Sequence, residues 1–214
     1  MAFLSVERAV IGALINQLGL RSTVRVLLSV VWGQVSYHPF KALEKPAAGG
    51  EKLARAHVRD ALILYRALLS AHLVNARSVF EAVMTRGAQA FLQGAIGTID
   101  RQHYQTLTQP ERLNWIQGLI GLFPNATATV VDTTETRVAF TVTRCRYVEL
   151  AVTAGHAEIA TTFCAGDAAF FQGQPAGIAF NRTRSIAMGD QSCPFELTLI
   201  EERDGGRVKM NAER

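Results

Sequence analysis

The apolar pattern changes character near residue 124. Before it, apolar residues recur three or four apart, the spacing of helices; after it, they alternate, the spacing of strands. Residues 5–32 read as a helix in which Val6, Val10, Ala13, Leu14 and Leu18 share a face. Ser5 is placed to cap it, and Glu7 lies near the positive end of its dipole. Residues 33–50 hold two prolines and three glycines and read as an irregular linker. A long helix over 51–72 aligns Leu53, His57, Ala61, Tyr65 and Leu69. Residues 75–85 and 87–97 give one or two further helices, with Gly87 and Gly94 as weak points. The segment 108–121 opens on a capping box, Thr108-x-x-Glu111, with Pro110 in the first turn, where no amide donor is needed.

Beyond Phe123-Pro124-Asn125, residues 126–132 and 136–144 read as two strands around Asp132-Thr133-Thr134-Glu135. Alternation sets Val138, Phe140 and Val142 on one face and Ala139, Thr141, Thr143 and Cys145 on the other. Helices over 146–154 and 156–172 follow, then two strands around Gly189-Asp190. The expected fold is α+β: an N-terminal helical part packed on a C-terminal antiparallel sheet of about four strands with two helices. The chain divides into an N-terminal helix and linker (1–50), a helical part (51–124), an α+β cysteine-bearing domain (125–204) and a polar tail (205–214).

Composition narrows the function classes. Apolar residues make up 49% and charged residues 19%, a globular balance. The net charge of +4 is uneven: residues 1–124 carry 13 Lys/Arg against 7 Asp/Glu, and residues 125–214 carry 9 against 11. The basic charges form no adjacent run, which argues against nucleic acid as a partner. The run VRVLLSVVWG is too short to span a bilayer, and AVIGALINQLGL lacks a preceding basic flank and is broken by Asn16 and Gln17. The reading is therefore no membrane partner and no signal peptide, and the odd count of three cysteines fits a reducing, cytoplasmic location. Two glycosylation-type triplets, at Asn125 and Asn181, carry no weight without secretion. The N-terminal helices offer a route to a homo-oligomer.

All three cysteines lie in the last third: Cys145 ends a strand, Cys164 sits in a helix and Cys193 opens a strand. Cys164 and Asp167 are three apart on the predicted helix and share a face. Such a pair is a nucleophile with its proton acceptor, two ligands for a metal, or a thiol that packs beside a carboxylate. Cys193 shares an apolar face with Phe195, Leu197 and Leu199, a core position, yet follows directly on a Gly-Asp turn, where sites are exposed. Arg182 shares a strand face with Ile178 and Phe180; its charge needs Asp167, a substrate carboxylate, or solvent at the strand end. His156, beside Glu158, is an acid–base candidate or a helix-start residue; His57 reads as a satisfied core histidine. No HExxH, CxxC, GxSxG or glycine-rich phosphate loop occurs.

Taken in order, Arg144-Cys145, Cys164-x-x-Asp167, Arg182-Thr183 and Gly189-Asp190-x-x-Cys193-x-Phe195 resemble the L-2-amino-thiazoline-4-carboxylic acid hydrolase family. A weaker likeness extends over 62–92, so the resemblance covers most of 60–200. It departs in one place: Pro194 stands where the family usually has an acidic residue after its last cysteine. The resemblance implies hydrolytic opening of a cyclic amidine ring to an N-carbamoyl amino acid by cysteine-dependent attack, with no cofactor. On that reading Cys145, Cys164, Cys193 and Asp167 are catalytic. Arg182, Thr183, His156 and Asp190 hold a carboxylate-bearing small-molecule substrate. The closing hairpin also resembles the 4-vinyl-reductase-type ligand-binding domain, which implies a sensor with zinc on Cys145, Cys164 and Cys193. A third reading is a structural protein without activity.

Overall fold

The computed structural model describes residues 2–46, 48–123, 125–175 and 177–199. Five helices precede a sheet that is interrupted by two more: α1 (Ala2–Ser36), α2 (Gly49–Ser70), α3 (Ala76–Ile96), α4 (Arg101–Thr106), α5 (Gln109–Gly121), β1 (Ala126–Thr133), β2 (Arg137–Cys145), α6 (Arg146–Thr153), α7 (Ala160–Gln172), β3 (Ile178–Asn181) and β4 (Cys193–Leu199). The four strands form one antiparallel sheet in the order β1-β2-β4-β3. The α+β expectation holds.

Several helical details differ from the sequence reading, each for a local reason. The single helix expected over 5–32 is broken at Gly19, whose φ of 72° lies where glycine alone is at ease. Helix then continues to Ser36, four residues past the expected linker boundary. Of the one or two helices expected over 75–97 the structure has one, and Gly87 is a site of close approach to Val10 of α1 rather than a break. The short α4 was not anticipated; Asp100 caps it by accepting from the His103 N–H at 2.9 Å. The capping box opens α5 as expected, with Glu111 Oε2 accepting from the Thr108 N–H at 2.7 Å.

Two apolar clusters hold the chain together, and each draws on both halves of the sequence. One joins α1, α2 and α3 to α6 and the start of α7; the other joins the end of α3, α4 and α5 to α7 and the inner sheet face. Gly166 on α7 is the closest point of the α3–α7 packing: a Cβ there would stand 2.3 Å from Ala88 Cβ. With Gly166 turned to α3, its neighbours Cys164 and Asp167 turn toward the sheet.

Strand alternation in β4 is strict, with Cys193, Phe195, Leu197 and Leu199 buried. In β2 it fails once. The pairs Thr127↔Arg144 and Ala128↔Val142 skip Thr143, a one-residue bulge. The bulge reverses the parity beyond it and returns Cys145 to the face of Phe140 and Val142, opposite to the expected assignment. The strands β3 and β4 pair, but no tight turn joins them at Gly189-Asp190. Residues 182–192 form a loop with a 3-10 turn at Ile186–Met188, closed by the Ser185 N–H donating to Asp190 Oδ2 at 2.9 Å.

Candidate active site

Between α7 and the sheet lies a partly open cavity of about 60 Å³. Cys145, Cys164, Cys193, Asp167 and Arg182 all line it, together with Asn125 and an apolar wall that includes Phe123, Phe140, Phe171 and Phe195. Thiols up to 48 positions apart thus meet at one space: β2 delivers Cys145 through its bulge, α7 delivers Cys164 and Asp167, and β4 delivers Cys193.

Arg182 is fixed from three sides. Its NH1 donates to Asp167 Oδ2 at 3.1 Å, its NH2 donates to the Cys164 carbonyl at 2.9 Å, and its guanidinium lies 5.4 and 5.2 Å from the Phe180 and Phe195 ring centres. The side chain is only 13% exposed. Of the sequence alternatives, Asp167 is the protein partner. Burial pushes the Asp167 carboxyl up to about 6, against the opposing pull of Arg182. That places it where a group gives and takes protons near neutral pH.

The three thiols are not equivalent. Burial pushes Cys164 up to about 12, with only Arg182 opposing. A thiol so raised gives up its proton to the Asp167 carboxylate only with difficulty, which disfavours Cys164 as a nucleophile. Burial also raises Cys193, which has one counterweight in the Ile186 N–H donating to its Sγ at 3.2 Å. Burial raises Cys145 too, but three donors oppose it: the N–H groups of Val148 and Tyr147 and the Asn125 side chain. Cys145 is the N-cap of α6, where backbone N–H groups and the helix dipole favour an anion. Asn125 is held in place from its other end, its carbonyl accepting from the Arg146 N–H at 2.6 Å. The sequence offered only a glycosylation-type triplet at Asn125; its place beside Cys145, across the Ala126↔Cys145 pair, follows from strand register.

An ion-pair network braces this corner. Arg146 donates through Nε and NH2 to both oxygens of Glu51 at 2.8 Å and through NH1 to Glu149, which also pairs with Arg144. Behind it, Tyr147 meets His57, with Nδ1 and the hydroxyl 2.6 Å apart, so His57 is the satisfied histidine expected.

The remaining candidates stand elsewhere. His156 pairs with Glu158 at 2.9 Å and meets the Tyr65 ring on the α2 side, so it is not among the cavity residues. Thr183 is exposed, and Asp190 is exposed and serves its own loop. Among the described residues, no three His, Cys, Asp or Glu side chains are arranged to hold a metal ion, so the zinc reading gains no support from the thiols.

No curated protein shows significant similarity to the chain. The family model for L-2-amino-thiazoline-4-carboxylic acid hydrolase matches residues 54–197, about two thirds of the sequence, and its span takes in α7, both paired strands around the cavity and every residue that lines it with a thiol, carboxylate or guanidinium. The chain belongs to the L-2-amino-thiazoline-4-carboxylic acid hydrolase family.

Proposed function

We propose that the cavity opens a small cyclic amidine of the 2-amino-thiazoline-4-carboxylate kind to an N-carbamoyl amino acid, with Cys145 as the attacking thiol. The observation that supports this is the gathering of three thiols, a carboxylate near neutrality and a guanidinium around one apolar space. The amidine carbon, bonded to the ring sulfur and two nitrogens, is the electrophile. Cys145 yields its proton to Asp167 and its Sγ bonds to that carbon. The carbon–ring sulfur bond then breaks, and the ring sulfur leaves as a thiol with the proton from Asp167. Water attacks the same carbon and gives one proton to Asp167; the bond to Cys145 breaks, the leaving sulfur takes that proton from Asp167, the second hydrogen of the water passes to the former ring nitrogen, and the carbamoyl oxygen remains. Net, one water is consumed, with its hydrogens on the released thiol and the former ring nitrogen. Arg182 spends two of its five N–H groups on Asp167 and Cys164, and its charge favours a substrate carboxylate.

The test is purified protein incubated with the thiazoline carboxylate, with the carbamoyl product measured by mass spectrometry. Wild type forms the product, and Cys145→Ser forms it at least a hundredfold more slowly. Undiminished turnover in Cys145→Ser, Cys164→Ser and Cys193→Ser alike removes the thiols from the mechanism. Loss confined to Cys193→Ser moves the nucleophile to β4.

A further inference from the structure

Beyond Gly19, α1 is apolar on two faces. One packs against α2 and α3. The other stands in water: Leu20, Val24, Leu28, Val31 and Val35 are 66, 48, 67, 64 and 72% exposed, and Trp32 is 72% exposed. Along the helix the first five follow at intervals of four, four, three and four, a single straight stripe. A helix with apolar residues on both sides belongs in an interior.

We propose that a second copy of this chain covers the stripe, two α1 helices packing about a two-fold axis near Leu28. Four arguments select this occupant. Steps of four residues, as from Leu20 to Val24 to Leu28 and from Val31 to Val35, form the ridge by which one helix packs into the grooves of another. The exposed parts of the six residues amount to roughly 700 Å² per chain, close to the ~800 Å² each partner gives to a stable interface. A groove of about 510 Å³, lined by Leu28, Trp32, Tyr37, Ile63 and Arg66, runs beside the stripe. A two-fold arrangement sets the ridge of one copy against the groove of the other. Among the described residues none covers the stripe, and the sequence of residues 201–214, predominantly polar, does not match an apolar face.

A bilayer is the rival. By length and hydropathy Ser5–Ser36 reaches the range of a membrane span, and 17% of its most apolar window is buried. The break at Gly19 interrupts the helical hydrogen bonding that lipid demands, and Arg8, Arg21 and Arg25 fall short of the four to eight basic residues of a surface anchor.

Sedimentation of the full chain across the micromolar range tests the proposal. Wild type sediments as a dimer. Leu28→Glu and, separately, Val35→Lys, both at exposed positions, sediment as monomers with unchanged helical circular dichroism. A wild-type monomer throughout that range overturns the proposal, as does a dimer that survives both substitutions. Wild type that floats with phosphatidylcholine–phosphatidylglycerol vesicles and is monomeric without them assigns the stripe to lipid instead.

Discussion

Replacing Asp167 by Asn removes the only carboxylate among the described residues that line the cavity, while keeping its shape and its ability to accept from Arg182. With a carboxyl at about 6, roughly nine-tenths of the wild-type molecules carry the anion at pH 7 and about one-tenth at pH 5. If the anion accepts the thiol proton, kcat/KM falls about tenfold per pH unit below 6. In Asp167→Asn that acid limb disappears, and the rate at pH 7 drops by about 10² to 10⁴, the usual worth of a positioned base. Stability moves the other way in the wild type. The folded carboxyl binds its proton more tightly than the unfolded one, which titrates at 3.8, so the native state holds more protons between those values. Stability from this group is therefore lost as pH rises from about 4 to 6, with a ceiling of about 3 kcal/mol. The assay is the initial rate of product formation against pH for both proteins, with melting curves beside it to confirm folding. An acid limb near pH 6 that persists unchanged in Asp167→Asn refutes the assignment.

Other predictions rest on other contacts. Asn125→Ala leaves the Cys145 thiolate one donor poorer, so alkylation of Cys145 by iodoacetamide, followed by peptide mass spectrometry, slows several-fold at pH 8 and its pH profile moves to the alkaline side. An unmoved profile means the amide does not act on the thiol. Glu51→Gln weakens the brace between α2 and α6. Arg146 holds the Glu51 carboxyl down to about 2 from 4.5, and with both side chains less than a quarter exposed the loss is about 1–2 kcal/mol at pH 7. The gap between the two proteins, read by urea unfolding, closes as pH falls from 4.5 toward 2, because the wild-type carboxyl then protonates; a gap constant over that window contradicts the ion pair as its source. Gly166→Ala drives a methyl into Ala88 and pushes α7 off α3, at a cost of about 1–3 kcal/mol and a melting point lower by several degrees. An unchanged melting point shows that α7 shifts without loss.

Much of this was legible in the sequence because it depends on short-range rules. Alternation identified the buried set of β4, the capping box opened α5 at its residue, and the cost of an unpaired buried charge set Asp167 among three candidate partners of Arg182. What was missed depends on register or on long separations. The side of β2 on which Cys145 lies turns on one bulged residue, Thr143, which leaves no mark on the pattern of apolar positions. Asn125 acquires its role only from standing across the ladder from Cys145, and Arg146 meets Glu51 across 95 residues. Gly19 looked like one more helical position, and α4 is too short to show a period. The resemblance implies His156 and Asp190 as substrate-holding residues, whereas each finds its bond within a few residues and neither lines the cavity.

The walls of the candidate site are also the packing of the sheet: Phe140, Val142, Phe171, Cys193 and Phe195 belong to the second apolar cluster and bound the cavity at the same time. Substrate range and thermal endurance are therefore written in the same side chains. Any attempt to enlarge the cavity will trade one against the other, and laboratory evolution would do well to begin from a parent first made more robust in its helical half.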